Sequence, residues 1–351
     1  MKIIKTRRSR RKQVDFEGLG FGEIFSDHML TMEYKNGRWG PPRIVPYGKI
    51  EIYPAICSLH YGQIVFEGLK AFYTQNGMIN VFRPQKYHER MNRSCQRLCI
   101  PDIGFDLFID GLKELVTLDK EWVPRKKGYS LYIRPFVFAT DNFLGVKVSE
   151  TYRFMIITSP VGAYYKEGIN PVKLTTPGEY IRAAKGGLGA AKTPANYAAT
   201  LLPGEEAKKN GFTQVLWLDG VERKYIEEVG TMNIFFLIND ELITPPLEGT
   251  ILGGVTRDTA IHLAKEWKLD VTERRISIDE IFMASKKGSL REVFGTGTAA
   301  VISPVGEIHY GGERIIINEG KIGSLSQKLY DEITGIQYRE KADPFGWCYL
   351  L

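Results

Sequence analysis

The chain has 351 residues, 43% hydrophobic and 25% charged, which is room for two domains and an ordinary balance for a soluble globular protein. Four cysteines are too few for a disulfide framework, five histidines stand at no metal-ligand spacing, and neither a secretory apolar region nor a transmembrane-length run is present. The net charge of +6 has a local source in Lys2 and the basic run from Lys5 to Lys12. Clustered cations bind phosphates, but this run has no interleaved aromatics or recognition motif. It reads as a solvated, partly disordered tail over 1–14, with no nucleic-acid or membrane partner, on a cytoplasmic protein. It is short for a transit peptide.

In chain order, the hydrophobic periodicities predict strands at 51–56, 64–73 and 78–82, then helices near 84–99 and 106–118. The first helix carries Arg90 among Tyr87, Met91, Cys95 and Leu98. Cys95 and Cys99 share one of its faces and read as core residues. Strands recur at 129–138 and 152–159. The Gly- and Pro-bearing stretch 161–171 reads as a connector between a small N-terminal domain, 1–160, and a larger C-terminal one, 172–351. Beyond it lie a strand at 214–218 with the hairpin signal Asp219-Gly220, a strand at 233–238 and a helix at 258–267. A strand at 275–278 and a final helix at 324–338 complete a mixed α/β (α+β) chain without repeats.

Four segments carry chemistry. Lys192 follows the small residues Gly186-Gly187-Leu188-Gly189-Ala190-Ala191. A lysine in such surroundings is partly desolvated, which favours the neutral, nucleophilic amine that bonds to an aldehyde or ketone. The plainer reading is a helix-entry lysine beside a turn. Glu227-Glu228 stands at the edge of an apolar strand, where an inward carboxylate needs a cation. Arg223 or Lys224 could supply it, and so could a protonated pyridine ring. Gly253-Gly254 opens a helix whose first N–H groups suit a phosphate, and Gly295-Thr296-Gly297-Thr298-Ala299 is a second anion-accepting loop. Arg90 is a further candidate anion partner.

Together these segments resemble branched-chain amino-acid aminotransferases, pyridoxal-phosphate enzymes of fold type IV. The resemblance extends from Phe25-Ser26-Asp27-His28 through Phe66-Glu67-Gly68 to Thr298-Ala299-Ala300, and its most specific parts are the Lys192–Tyr197, Glu228–Asn233 and Gly295–Ala299 runs. It implies two domains with pyridoxal 5′-phosphate in the cleft between them, and a homodimer whose partner borders the substrate site. By motif, Lys192 is the lysine bonded to the cofactor aldehyde, Tyr197 lies near its 3′ oxygen, and Glu228 pairs with the ring nitrogen. Arg90, the amides of Val255 and Thr256, and the Thr298 loop take the phosphate. The substrate carboxylate falls near Thr298 and Ala299, within reach of Tyr61 and Thr231. Phe66, Tyr132, Arg134 and Tyr164 line the side-chain pocket. Arg182 fits the family pattern near the cofactor, with no role assigned.

The implied activity moves an amino group between L-leucine, L-isoleucine or L-valine and 2-oxoglutarate, so the partners are small amino acids and 2-oxo acids. Another enzyme of the same fold type, a D-amino-acid aminotransferase or an aminodeoxychorismate lyase, would keep the lysine and the ring acid. A non-enzymatic nucleic-acid protein built on the basic arm is the third reading.

Overall fold

The computed structural model describes residues 1–162 and 170–351. They form two compact units: Met1–Lys166 with Ala191–Pro194 and Gly335–Leu351, and Glu167–Ala190 with Ala195–Thr334. Most of the expected connector at 161–171 lies outside the described residues. Val161 itself closes the strand Tyr152–Val161.

The first unit is built on a ten-stranded sheet, largely antiparallel. At its centre Tyr152–Val161 pairs with Ser130–Ala139 over the full length of both. Along 131–136 burial alternates strictly, with Leu131, Ile133 and Pro135 inside and Tyr132, Arg134 and Phe136 half-exposed. That period of two gives the sheet one packed face and one that carries functional side chains. Two segments expected in the C-terminal domain belong here instead. Cys348–Leu350 adds a strand beside Ile79–Phe82. Residues 191–194 are held by the backbone of Lys192, whose carbonyl accepts from the Phe66 N–H at 3.1 Å.

The basic N-terminal segment is ordered, contrary to the expected loose tail. Lys2–Ile3 pairs in parallel with Arg43–Ile44. The Thr6 N–H donates to His28 Nε2 at 2.9 Å, and the Arg10 N–H donates to Asp27 Oδ1 at 3.0 Å. Backbone hydrogen bonding thus anchors a stretch whose side chains remain solvated, something that composition alone does not reveal.

Three further expectations change. Residues 51–56 form no strand: Glu51, Ile52 and Tyr53 are exposed and lead into the short helix Cys57–Tyr61. Residues 275–278 are not a strand either. Ser277 accepts from the Glu280 N–H at 3.1 Å and starts the helix Ile278–Lys286, so Ser277-Ile278-Asp279-Glu280 was a capping signal. Cys99 lies beyond the helix Pro84–Arg97, exposed and at positive φ, whereas Cys95 is buried as expected.

Asp141 anchors the loop that follows the central strand. It accepts from the Glu150 N–H at 3.1 Å, the Thr151 N–H at 3.0 Å and the Thr151 hydroxyl at 2.6 Å, and it pairs with Lys147 at 3.0 Å. Burial opposes its ionisation, but these bonds outweigh that and hold the carboxyl well below its usual range. A depressed folded pKa gives stability that is complete above the unfolded value of about 3.9 and is lost as pH falls through the folded one. Asp141→Asn should therefore flatten the acid limb of the stability profile below about pH 4, read by denaturant titration.

The second unit has a nine-stranded mixed sheet. Gln214–Leu218 pairs antiparallel with Ile226–Val229. Their connection is not the two-residue turn expected at Asp219-Gly220. It runs over 219–225, with Asp219 accepting from the N–H groups of Val221, Glu222, Lys224 and Tyr225. The core is mostly aliphatic, with Leu216, Val229, Ile234, Ile243, Ile281 and Ile308 buried beside Phe236. Among the described residues no helix is long and apolar enough to cross a membrane.

Candidate active site

In the first unit the expected residues gather around Lys192. Its N–H donates to Ser94 Oγ at 2.9 Å, and Ser94 is on the helix Pro84–Arg97. Its side chain is half-buried, with Nζ 4.8 Å from the Phe66 ring centroid. The Arg134 guanidinium lies over the same ring at 4.9 Å, and Arg134 Nη2 donates to the Tyr132 hydroxyl at 3.0 Å. Phe66, Tyr132 and Arg134 thus share one sheet face. An amine, an aromatic wall and a cation are presented together.

Gly68 makes room for this arrangement, since a Cβ there would fall 1.9 Å from the Tyr132 hydroxyl oxygen. Gly68→Ala should push the phenol aside and break its hydrogen bond with Arg134, with little loss of fold stability in a thermal melt.

Arg90 is buried and makes a two-pronged pair with Glu67, Nε to Oε1 and Nη2 to Oε2, each at 2.7 Å. A guanidinium held in a fixed orientation in this way is the kind of group that binds phosphate. Glu67, fully buried, was passed over in the sequence, where it reads only as part of Phe66-Glu67-Gly68. Glu67→Ala removes the two-pronged partner of a buried charge and should cost about 3–5 kcal/mol, measurable by denaturant unfolding.

Tyr61 stands apart from this group. It is exposed at the end of its helix, and its hydroxyl donates to the Leu144 carbonyl. Tyr164 lies outside the described residues.

In the second unit, Glu228 is buried at 4% exposure on the strand Ile226–Val229, as is its neighbour Glu227 at 7%. The cation beside Glu228 is neither Arg223 nor Lys224 but Arg182, with Nε 3.4 Å from Glu228 Oε2. Arg182 Nη2 also donates to the Thr250 carbonyl. Burial pushes the Glu227 carboxyl up, against a hydrogen bond from Thr250 and the Arg182 charge. Glu228 Oε1 accepts from the Leu252 N–H at 2.8 Å, and Asn233 Nδ2 donates to the Leu252 carbonyl at 2.8 Å. Asn233 was missed as well. Its signal was an amide heading the otherwise apolar Asn233–Ile238 strand.

Gly254 caps the helix Val255–Glu266, whose first residues Val255 and Thr256 are buried. Thr298 and Ala299 are half-buried in the turn between the strands Leu290–Gly297 and Val301–Tyr310. Tyr197 is half-buried on the short helix Pro194–Ala198, which Asn196 ties back by donating to the Leu188 carbonyl at 2.8 Å. Thr231 is exposed in the turn after Gly230.

These residues fit pyridoxal 5′-phosphate. A buried carboxylate–guanidinium pair suits a protonated ring nitrogen, and a glycine-capped twelve-residue helix suits a phosphate. The glycine run packs tightly on the loop before that helix: a Cβ on Gly189 would lie 2.2 Å from the Thr250 carbonyl oxygen.

Residues 64–308 match the family Amino-transferase class IV. The chain is 54% identical over 340 residues to "Branched-chain-amino-acid aminotransferase 2" of Bacillus subtilis, an alignment spanning 97% of this chain and 94% of that one. The solved Escherichia coli branched-chain amino acid aminotransferase superposes with a TM-score of 0.77 at 28% identity, over 92% of this chain and 98% of that one. The T.th. branched-chain amino acid aminotransferase, solved with pyridoxamine 5′-phosphate, gives 0.75 at 27% identity, over 91% and 97%.

Proposed function

The chain belongs to the class IV aminotransferase family, and from that premise we propose that it is a pyridoxal-phosphate-dependent branched-chain-amino-acid aminotransferase. It transfers the amino group of L-leucine, L-isoleucine or L-valine to 2-oxoglutarate, giving branched-chain 2-oxo acids and L-glutamate. The observation that carries this reading is near-full-length identity to such an enzyme, in a chain that retains the Lys192, Glu228–Asn233 and Gly295–Ala299 motifs.

When bound, the cofactor supplies a protonated ring that takes up the electron pair left as the substrate Cα loses its proton. This chain's residues do the rest. Lys192 Nζ would bond to the cofactor aldehyde and, as a free amine, would move the substrate Cα proton as general base and then as general acid. Glu228, paired with Arg182, would keep the ring nitrogen protonated. The Val255 and Thr256 amides, Arg90 and the Thr298 loop would hold the phosphate, and Tyr197 would serve the 3′ oxygen. Thr298 and Ala299, with Thr231, would receive the substrate carboxylate, whereas the Tyr61 hydroxyl is engaged by the Leu144 carbonyl.

Phe66 and Tyr132 flank an apolar side chain. Each methylene in such a pocket is worth only about 1–3 kcal/mol, so three aliphatic substrates share it. Arg134 and the Tyr132 hydroxyl, in contact on the same sheet face, serve the second carboxylate of 2-oxoglutarate.

The protein acts as a cytoplasmic homodimer. Support for the assembly comes from an exposed apolar patch on the first unit. Leu59, Phe143, Leu144, Val146 and Val148 are 49–84% exposed, and the Tyr61–Leu144 and Phe143–Ala55 hydrogen bonds knit the helix Cys57–Tyr61 and this loop together.

A substrate panel with purified holoenzyme tests the function. Turnover on leucine, isoleucine and valine with 2-oxoglutarate, and little on alanine or aspartate, is expected. Activity confined to D-alanine, or pyruvate release from aminodeoxychorismate, would overturn it.

A further inference from the structure

We propose that Asn233 is a positioning residue for the phosphate-binding loop, acting through Leu252, and that Asn233 and Glu228 form one clamp on that residue. The inference rests on the cofactor reading above.

Leu252 lies just before the glycine cap of the helix Val255–Glu266, so its placement sets where the first N–H groups of that helix point. Both halves of its backbone are taken by side chains. Its N–H donates to Glu228 Oε1 at 2.8 Å, and its carbonyl accepts from Asn233 Nδ2 at 2.8 Å. The two clamping residues are five positions apart, yet a tight turn sets them side by side. Val229 and Met232 exchange both backbone hydrogen bonds, at 2.9 and 2.8 Å. Gly230 takes a φ of +55° there, a conformation that favours glycine.

Asn233 is 5% exposed. Its amide donor goes to the loop and not to the strand ladder, whereas a merely core-filling residue at this place would be apolar.

A second contact fixes the same point. A Cβ on Gly254 would lie 2.0 Å from Asn233 Oδ1, while the φ of Gly254 is −68°, open to any residue. The glycine is required there by the Asn233 side chain, not by backbone strain. Loop and asparagine are therefore matched at two places, the Leu252 carbonyl and the Gly254 α-carbon.

Glu228 and Asn233 should then have separable effects. Glutamine at 228 keeps an oxygen to accept from Leu252 but gives up the charge toward the ring nitrogen. Alanine at 233 leaves that charge and frees the loop. The readout is the affinity of apoprotein for pyridoxal 5′-phosphate against that for pyridoxal, which has no phosphate, alongside the pH dependence of the visible band of the Lys192-bound cofactor.

Asn233→Ala should weaken pyridoxal 5′-phosphate binding about tenfold, the scale of one lost hydrogen bond, with pyridoxal affinity and the visible band unchanged. Glu228→Gln should alter the band's pH dependence and leave the ratio of the two affinities as in wild type. Gly254→Ala should reproduce the Asn233→Ala ratio, and adding it to Asn233→Ala should cost nothing further, because the clashing oxygen is gone. If Asn233→Ala does not fold, Gly254→Ala carries the test alone.

Equal weakening toward both ligands in Asn233→Ala, an unchanged ratio, or additive losses in the double variant would overturn the inference. Failure of the wild-type protein to bind pyridoxal 5′-phosphate would overturn the cofactor reading itself.

Discussion

Lys192→Ala should remove amino-group transfer altogether, while the protein folds and still takes up pyridoxal 5′-phosphate without a covalent link. Two losses combine. On the proposed reading, the general base and acid for the Cα proton disappears, a contribution of about 10²–10⁴-fold, and the covalent tether of the cofactor disappears with it. The fold should tolerate the change, because Lys192 is held through its backbone, by Ser94 Oγ and by the Phe66 N–H. Both bonds survive in alanine. Near-unchanged thermal stability, turnover below about 1% of wild type and retained cofactor absorbance with no bond to protein are the expected triad. Wild-type-like turnover would remove Lys192 from the chemistry.

Glu228 carries the second large effect, and the choice of replacement separates its two parts. Glu228→Gln is isosteric and can still accept from the Leu252 N–H, so the fold should hold. The loss should appear in kcat, on the scale of about 10²–10³-fold for one preorganised electrostatic contact. Glu228→Ala should in addition unfold more readily. It leaves Arg182, whose side chain is only 5% exposed, without its carboxylate, and breaking such a pair costs about 3–5 kcal/mol. A glutamine variant with wild-type kcat would show that nothing at the ring depends on this charge. Equal stability of the two variants would show that the Arg182 pair contributes nothing to the fold.

Long, strongly patterned elements were legible from the sequence. The helices Pro84–Arg97 and Phe105–Leu118 and the strands Gln214–Leu218 and Asn233–Ile238 lie where the periodicity puts them. What failed was decided by something other than periodicity. Residues 51–56 are rich in apolar residues, yet only an isolated bridge from Ile56 to Asn142 pairs there and no ladder forms. The Ser277 cap overrode the alternation of Ile276 and Ile278, and the N-terminal segment is ordered by backbone bonds that its charge conceals.

The same division holds for the candidate site. Lys192 and Glu228 announce themselves because an amine among glycines and a carboxylate in an apolar strand need an explanation. Their supports do not. Glu67 behind Arg90, Asn233 beneath the loop and Arg182 beside Glu228 act by contacts between segments remote in sequence, and no local pattern encodes a partner 23, 19 or 46 residues away.

The most direct test is borohydride reduction of the holoenzyme followed by proteolysis and peptide mapping. The phosphopyridoxyl label should fall on the peptide containing Lys192 and nowhere else. Label on another lysine, or a holoprotein that takes up none, would contradict the account at its root.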